Sequence, residues 1–495
     1  MQKIYAEGEI NNVQVGMSQI NLSDTVVETK DGHVLKKNNP VIVYDTSGAY
    51  GDKSYKADFK LGLPHVRKPW FTRRKDIVEH QTSAEGKKKT FFHAKEGKCI
   101  TQAYYAKKRM ITPEMEYVAI RENQQIEALG LKSYITPDFV RKEMASGRAV
   151  IPANVNHVTL EPMIIGSRFL VKINGNISLN DVFSESDVEK IRFNCCLGVD
   201  SLLDITCGKK STSASRAYLV RNSPVPVGTP PLYYALEKVE GKVEKLTWDI
   251  FRSALIEQLQ QGVDFITIHA AMKRKHLKMI SNRLTGIASF SGKIIADWMD
   301  IHKEENFLNT HFAEICQIVS MYDAVISLGS GLRPGSVYDA IDHAQYAELL
   351  EMQGLIATAF KHYTQIVVEG AGHIPINKIG PYMKDFHSIC KGVPFISSGT
   401  VTSDVAVEHE HIAAAISGAQ MAWFGASVIG GLKSQITLTD MESILADLVS
   451  YKIAAHSADL AKGHPGAQVR DNAFSRAKQE NREEDCVKLS LRRGR

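Results

Sequence analysis

The sequence predicts an α/β protein built on a closed (β/α)8 TIM-type barrel, with an N-terminal domain before it and a helical C-terminal arm after it. Three observations predict it. From Phe169 onward, short apolar runs alternate with helical stretches for about 250 residues, the pattern of a parallel sheet. Nearly every apolar run ends in a polar or glycine-bearing tip, and Asn176, Asp204, His269, Ser289, Arg333, Glu369 and His373 all fall at such ends. A closed barrel brings its strand ends to one mouth, where enzymes of this fold keep their chemistry, whereas an open sheet spreads them. The expected domains are 1–150 for the N-terminal domain, 151–435 for the barrel with its mouth, and 436–495 for the arm.

Residues 1–110 show weak periodicity and many turn signals. The basic clusters Arg67-Lys68-Pro69, Arg73-Arg74-Lys75 and Lys87-Lys88-Lys89 read as solvated surface rather than as an anion site. Thr112-Pro113-Glu114-Met115-Glu116 is a helix start, with a Thr cap, Pro at the first position and acids in the first turn. Phe169-Leu170-Val171-Lys172-Ile173 reads as a strand, and a helix over 187–197 leads to Ser201-Leu202-Leu203-Asp204-Ile205. The run 222–228 follows, then a helix over 248–261 and the strand Val263-Asp264-Phe265-Ile266-Thr267-Ile268 ending in His269. Ile287-Ala288-Ser289 is a further strand candidate, and a helix at 312–321 comes next. Ala324-Val325-Ile326-Ser327-Leu328 ends at Gly329-Ser330-Gly331-Leu332-Arg333, and a helix over 345–362 precedes Gln365-Ile366-Val367-Val368.

That run leads into Glu369-Gly370-Ala371-Gly372-His373-Ile374-Pro375, so Glu369 and His373 are expected on a loop at the carboxyl end of the sheet. Pro394-Phe395-Ile396 is another short strand, and 408–416 is helical and carries His411. After Trp423-Phe424-Gly425 the chain turns helical again through 451–461. Gly463-His464-Pro465-Gly466 stops that helix, 472–485 is charged and helix-prone, and Arg492-Arg493-Gly494-Arg495 is expected to fray.

Composition narrows the class. With 44% hydrophobic and 23% charged residues, the chain is ordinary for a globular protein, and a net charge of +5 spread over 495 residues makes no case for nucleic acid. No apolar stretch approaches the roughly 18–20 residues of a membrane span, and Met1-Gln2-Lys3-Ile4-Tyr5 opens no apolar signal core. The seven cysteines form no C-x-x-C pair, which points to a reducing cytoplasm rather than a disulfide framework. Cys195 and Cys196 read as helix core, while Cys207 sits at a strand tip with nothing near it in sequence to activate it. Residue by residue, the bland alternatives stand beside the functional ones. His269 and His373 can be hydrogen-bonded structural histidines, and Arg333 can cap a helix or pair with Glu369 instead of meeting a ligand anion.

The stretches 111–123, Pro152-Ala153-Asn154-Val155-Asn156-His157, Glu161-Pro162-Met163-Ile164-Ile165-Gly166, 221–228, Arg283-Leu284-Thr285-Gly286-Ile287, 331–336, 369–375 and 451–472 carry a resemblance. Over about 97–491 the chain resembles the phosphomethylpyrimidine synthase family of thiamine biosynthesis. The resemblance implies a (β/α)8 barrel with a helical arm, and a homodimer in which the arm reaches the partner's barrel. It implies a lyase-type rearrangement of aminoimidazole ribotide, or a related imidazole nucleotide, by S-adenosylmethionine radical chemistry at a 4Fe-4S cluster. It places Asn176, Tyr233, His269, Ser289, Arg333 and Glu369 in the substrate site, and makes His373 and His411 ligands of a divalent metal, zinc or iron. His409 competes with His411. The two would share a face only in a strand, and the stretch looks helical, so His411 is preferred.

The departures from the family pattern are specific. The C-x-x-C-x4-C motif that holds the family's cluster does not occur in these 495 residues. At the mouth, a family Ser-Arg-Gly-Gly is Ser289-Phe290-Ser291-Gly292, an Asp-Gly-Leu-Arg is Ser330-Gly331-Leu332-Arg333, a Met is Leu203, and a Tyr is Ile396. The segment after Phe424-Gly425 lacks a family Cys-Tyr-Val-Thr-Pro. The expectation is therefore a diverged member. Its alternatives are a cluster-free paralog doing metal-assisted polar chemistry on a nucleotide-like substrate, and a non-catalytic metabolite-binding protein.

Overall fold

The structure is a computed structural model, and it describes residues 2–30, 32–72, 74–84, 87–123, 135–180, 182–207, 213–430 and 441–491. Eight parallel strands close into a barrel in chain order: Lys172–Ile177, Ser201–Asp204, Val227–Thr229, Phe265–Ile268, Val325–Leu328, Gln365–Ala371, Phe395–Ser398 and Ala426–Gly430. The last pairs with the first, with Lys172 opposite Val428. The predicted fold class is the observed one.

Two strand assignments differ from the sequence reading. The eighth strand is Ala426–Gly430, not Ile287-Ala288-Ser289. Its run Ala-Ser-Val-Ile-Gly is too short and mixed to announce itself, and only closure between the seventh and first strands requires it. Ile287-Ala288-Ser289 lies in the connection after the fourth strand, where Ser289 caps the helix Phe290–His302. The sixth strand also runs on to Ala371, so Glu369 lies within it rather than on the loop beyond.

Alternate residues of a barrel strand face inward. Phe265, Val325, Val367 and Val428, joined by Leu203 and Ile396, fill the interior, and Val150, Met163 and Ile165 close it from below. Gly228 makes room for the largest of these, because a Cβ there would lie 2.0 Å from the Phe265 ring. Outward-facing Ile266, Ile326, Ile366 and Val368 pack under the helices on one side, and Ile173, Ile177, Leu202 and Ile429 on the other. Burial of each such side chain contributes roughly 1.5–3 kcal/mol, which is why these strands read as continuous apolar runs.

The helices follow their sequence signals closely. Pro113–Glu122 starts at Thr112, whose Oγ1 accepts from Met115 N at 3.2 Å. Trp248–Gln261 spans the expected residues, capped by Thr247 and closed by Gly262 at φ 99°. Glu185–Leu197, Phe312–Ser320, His343–Lys361 and Glu410–Trp423 lie within a few residues of expectation, apart from the last, which runs further.

The N-terminal region is more regular than its turn-rich sequence suggested. Gln2–Glu7, Gln14–Ile20 and Val41–Val43 form an antiparallel sheet, and two hairpins pair Thr25–Thr29 with Gly32–Lys36 and Ile77–Ala84 with Lys87–Ala94. Gly32–Lys36 is exposed throughout, so no apolar alternation marks it. The expectation of a solvated basic surface fails at Arg67. Its guanidinium is buried, pairs with Glu114 at 2.9 Å, and donates to the carbonyls of Ala153, Asn154 and His157. Arg74 is likewise engaged, with Asp76 at 3.0 Å. The side chains of Lys87, Lys88 and Lys89, together with Arg73, Gly208, the 435/436 boundary and the Arg492-Arg493-Gly494-Arg495 tail, lie outside the described residues.

The helix Met441–Ala461 lies against its own barrel, with Tyr451, Ala454, Ala455 and Ala458 packed among Ile173 and Ile429. Asp459 Oδ1 accepts from Val171 N at 3.0 Å. The next helices, Pro465–Gln479 and Glu483–Leu489, return to the N-terminal sheet, where Ala477 and Leu489 meet Ile20, Val41 and Val43. Among the described residues, no helix is long and apolar enough to cross a membrane.

Candidate active site at the barrel mouth

Thr267 and Ser327 stand two residues beyond Phe265 and Val325 on the same inward rows, which marks the change from packed interior to polar mouth. Both hydroxyls donate to Glu369 Oε1, Thr267 at 2.8 Å and Ser327 at 2.6 Å. Burial raises the Glu369 carboxyl above the usual glutamate range, and the opposing pull of Ser327, Thr267 and Arg333 does not cancel it. A carboxyl in that state accepts a hydrogen bond or holds a proton with a small change in surroundings.

His269 follows the fourth strand and is buried. Burial first, and then the charge of Arg333, push its imidazole down to about 3, so it is neutral near pH 7. Its Nε2 lies 3.2 Å from Ser289 Oγ, and that oxygen already accepts from Gly292 N at 3.1 Å. The Ser289 proton is therefore free to go to Nε2, which puts the ring proton on Nδ1. Gly329 lies against this ring, and a Cβ there would come within 2.8 Å of it. Asn306 fixes the backbone by donating to His269 O at 2.9 Å.

Tyr233 stands in the helix Pro231–Lys238, directly after the third strand. Its phenol is raised chiefly by burial; a hydrogen bond with Ser291 and the Arg333 charge act the other way, and Cys207 and Glu369 add to the rise. Those influences gather Tyr233, Ser291, Arg333, Cys207 and Glu369 around one space. Phe290 meets Tyr233 edge-on, with ring centroids 5.3 Å apart, and is half exposed at the rim. The loop carrying Arg333 is anchored from beneath by buried Glu348, which accepts from Ser330 Oγ, Gly331 N and Leu332 N at 2.8, 2.8 and 2.9 Å. Ser330 thus serves the loop, and Arg333 Nη1 donates to Ser330 O at 3.0 Å.

The structure therefore brings together Tyr233, His269, Ser289, Arg333 and Glu369, with Ser291 and Phe290 beside them. Asn176 stands apart from that hydrogen-bonded group. It lies on the first strand opposite Leu203, with Asn174 Nδ2 3.4 Å from its Oδ1. Leu203 and Ile396 pack with the apolar interior below the mouth.

The two candidate metal ligands have separate partners. His373 Nδ1 is 2.7 Å from Asp404 Oδ1, and His411 Nδ1 is 3.6 Å from Asp447 Oδ1. A carboxylate on Nδ1 leaves Nε2 for a metal and is the usual support of a ligating histidine. Only His373 has such a hydrogen-bonded carboxylate, the two histidines answer to different partners, and no group of three or more ligating side chains gathers among the described residues. His409 remains in play, because its ring lies 6.1 Å from that of His411 across the helix start. We expect the wild-type chain to bind about one zinc or iron ion, and His373→Ala/His411→Ala to lose it by elemental analysis; unchanged metal content would refute the assignment.

A 4Fe-4S cluster does not fit the thiols present. Cys195, Cys316 and Cys390 are buried in the packed core, and burial pushes the thiols of Cys316 and Cys390 up to about 12. Among the described residues, none of the seven cysteines joins a group of three ligating side chains.

Sequence reasoning missed the residues that hold the site in place: Thr267, Ser327, Glu348, Asn306, Asp404 and Asp447. Thr267 and Ser327 carried a signal, since each is a lone hydroxyl at alternate register inside an apolar strand. The others act from distant helices and loops, and only the fold brings them near.

Two comparisons with solved structures give low overlap. Dihydropteroate synthase from Stenotrophomonas maltophilia with imidazole in its active site matches with 11% identity over 61% of this chain and 96% of that one, at a TM-score of 0.35. Dihydropteroate synthase from Xanthomonas albilineans with 4-aminobenzoic acid matches with 12% identity over 64% and 99%, at 0.34. The family comparison is decisive. The ThiC-associated domain matches residues 1–78, and the radical SAM ThiC family matches residues 101–495, most of the chain. With the barrel and its mouth as described, this chain belongs to the radical SAM ThiC family, the family of thiamine pyrimidine synthesis.

Proposed function

We propose that the barrel mouth binds aminoimidazole ribotide or a closely related imidazole nucleotide, in the lyase-type rearrangement that makes the thiamine pyrimidine in the cytoplasm. The observation that carries this reading is a buried carboxyl, Glu369, facing the same space as a cation, Arg333, and a neutral imidazole, His269. Arg333 pairs with the ligand's anionic group. Glu369 accepts from an N–H of the imidazole ring or its amino group, and His269 orients the ligand without adding charge. Tyr233 and Phe290 wall the ring. His373 and His411 would be the residues to hold a divalent metal, which when bound would supply a Lewis acid.

Calorimetric titration with aminoimidazole ribotide tests the reading. Arg333→Met and Glu369→Gln are each expected to weaken binding roughly 10–100-fold, the loss of one charge-assisted contact. Equal affinity in wild type and both variants would refute it.

A second reading rests on the cysteine placement. Without three converging thiols, the same mouth serves metal-assisted polar chemistry on a nucleotide-like substrate, or binding alone. Turnover that disappears on metal removal and returns on its restoration would favour the polar reaction; binding without turnover would favour the last.

The same reading includes a homodimer through the 451–485 region, where Ile453 and Phe474 are exposed at 51% and 37%. Sedimentation at micromolar concentration should show a dimer that Ile453→Asp weakens, and a monomer would count against it.

A further inference from the structure

A second cavity lies at the opposite end of the barrel. The helices Ser213–Arg221 and Trp248–Gln261 run back from the mouth, so Arg221, Gln260 and Gln261 reach the amino-terminal face. There they meet His65 on a loop and Lys68 at the start of the short helix Lys68–Phe71, and line a cavity of about 350 Å³. That volume is at the lower end of what small-molecule sites occupy. Leu61, Phe91, Ala217 and Val220 give it an apolar wall, and Asn156 and Thr159 a polar one.

Its charge is one-sided. Among the described residues, no carboxylate lines the cavity. Neither Lys68 nor Arg221 has a carboxylate partner among the described residues. Arg221 is held in place, with Nη1 donating to Lys60 O at 2.9 Å and the guanidinium 5.0 Å over the Tyr218 ring. His65 falls below the usual histidine range through burial and then the charges of Lys68 and Arg221, which places both charges close to it. His157 at the base is already committed to Asp264 and to Ser223 O, at 2.6 and 2.9 Å. Two cations from separate segments beside an apolar wall, without a counterion, favour a dianion that brings its own apolar part.

We propose that this cavity is a second ligand site, separate from the barrel mouth, which takes a small phosphate monoester with its phosphate between Lys68 and Arg221 and its organic part against Phe91 and Val220. Fully ionised, the ester carries two negative charges, matching the two permanent cations.

The test uses the full chain carrying Arg333→Met, so that the mouth does not compete for the phosphate. Inorganic phosphate, ribose 5-phosphate and adenosine 5′-monophosphate are titrated by calorimetry. At least one ester should bind more tightly than inorganic phosphate, and binding should weaken as ionic strength rises. Lys68→Gln should weaken it about tenfold, and Lys68→Gln/Arg221→Gln should abolish it. If the double variant fails to fold in a thermal melt, Lys68→Glu carries the test alone, with loss of binding expected. Unchanged affinity in Lys68→Glu would overturn the proposal. So would the absence of ester binding in the Arg333→Met chain, or equal affinity for inorganic phosphate and both esters.

Discussion

Replacing Arg67 with methionine is expected to destabilise the folded chain by about 3–5 kcal/mol, the cost of leaving one member of a buried ion pair without its partner. Arg67 is 1% exposed and Glu114 2%. The guanidinium joins three elements at once, since it pairs with Glu114 and donates to Ala153 O at 2.9 Å and Asn154 O at 2.6 Å. Methionine fills much of the volume but removes the donors to three carbonyls, those of Ala153, Asn154 and His157, and the partner of a buried carboxylate. Burial alone would raise the Glu114 carboxyl; Arg67 and Arg74 outweigh it and hold the group below the usual glutamate range. In the wild type, Glu114 therefore adds stability above the unfolded glutamate value, and that contribution fades as pH falls through its depressed folded value. In the variant the loss of Arg67 raises the folded value, so the destabilisation should be larger near pH 7 than near pH 4.5. Denaturant midpoints at both pH values check the sign, and a loss below about 1 kcal/mol at neutral pH would show that the site relaxes or admits water.

A polypeptide of these 495 residues should assemble no 4Fe-4S cluster and produce no 5′-deoxyadenosine from S-adenosylmethionine under reducing conditions. Three thiolates must converge to hold such a cluster with one iron open. Cys195 and Cys196 are adjacent on the helix Glu185–Leu197 and diverge by about 100° around its axis. Cys316 and Cys390 are enclosed in the main core cluster, where forming a thiolate is disfavoured. Cys486 sits in the short helix Glu483–Leu489 beside the N-terminal sheet, and Cys99 and Cys207 belong to other regions. Anaerobic reconstitution with iron and sulfide, followed by reductant and S-adenosylmethionine, gives the answer. A stoichiometric cluster together with 5′-deoxyadenosine would overturn this reading of the cysteines. Binding of the imidazole ribotide without either would agree with it.

The barrel was legible where burial is two-sided and continuous. Phe265–Ile268, Val325–Leu328 and Gln365–Ala371 are apolar because both faces are covered, and local sequence is enough to show that. Ala426–Gly430 was not legible, since its membership depends on pairing with strands some 30 and 250 residues away. The mouth divided along the same line. Glu369, His269 and Arg333 were visible as polar residues at or near the ends of apolar runs, and the family motifs named them in order. Ser330 was read as an altered ligand position, whereas the fold gives its hydroxyl to Glu348, a helix away.

By itself the sequence determined the periodicity of each element, the caps that start and stop the helices, and the family, because these depend on neighbouring residues and on motif order. Tertiary structure alone decided which strand closes the barrel, that Arg67 is a buried tie rather than a solvated charge, and that His269 is neutral. It also decided that Lys68 and Arg221 line one cavity. Each of these depends on desolvation and on partners far away in the chain, and neither is encoded in local spacing.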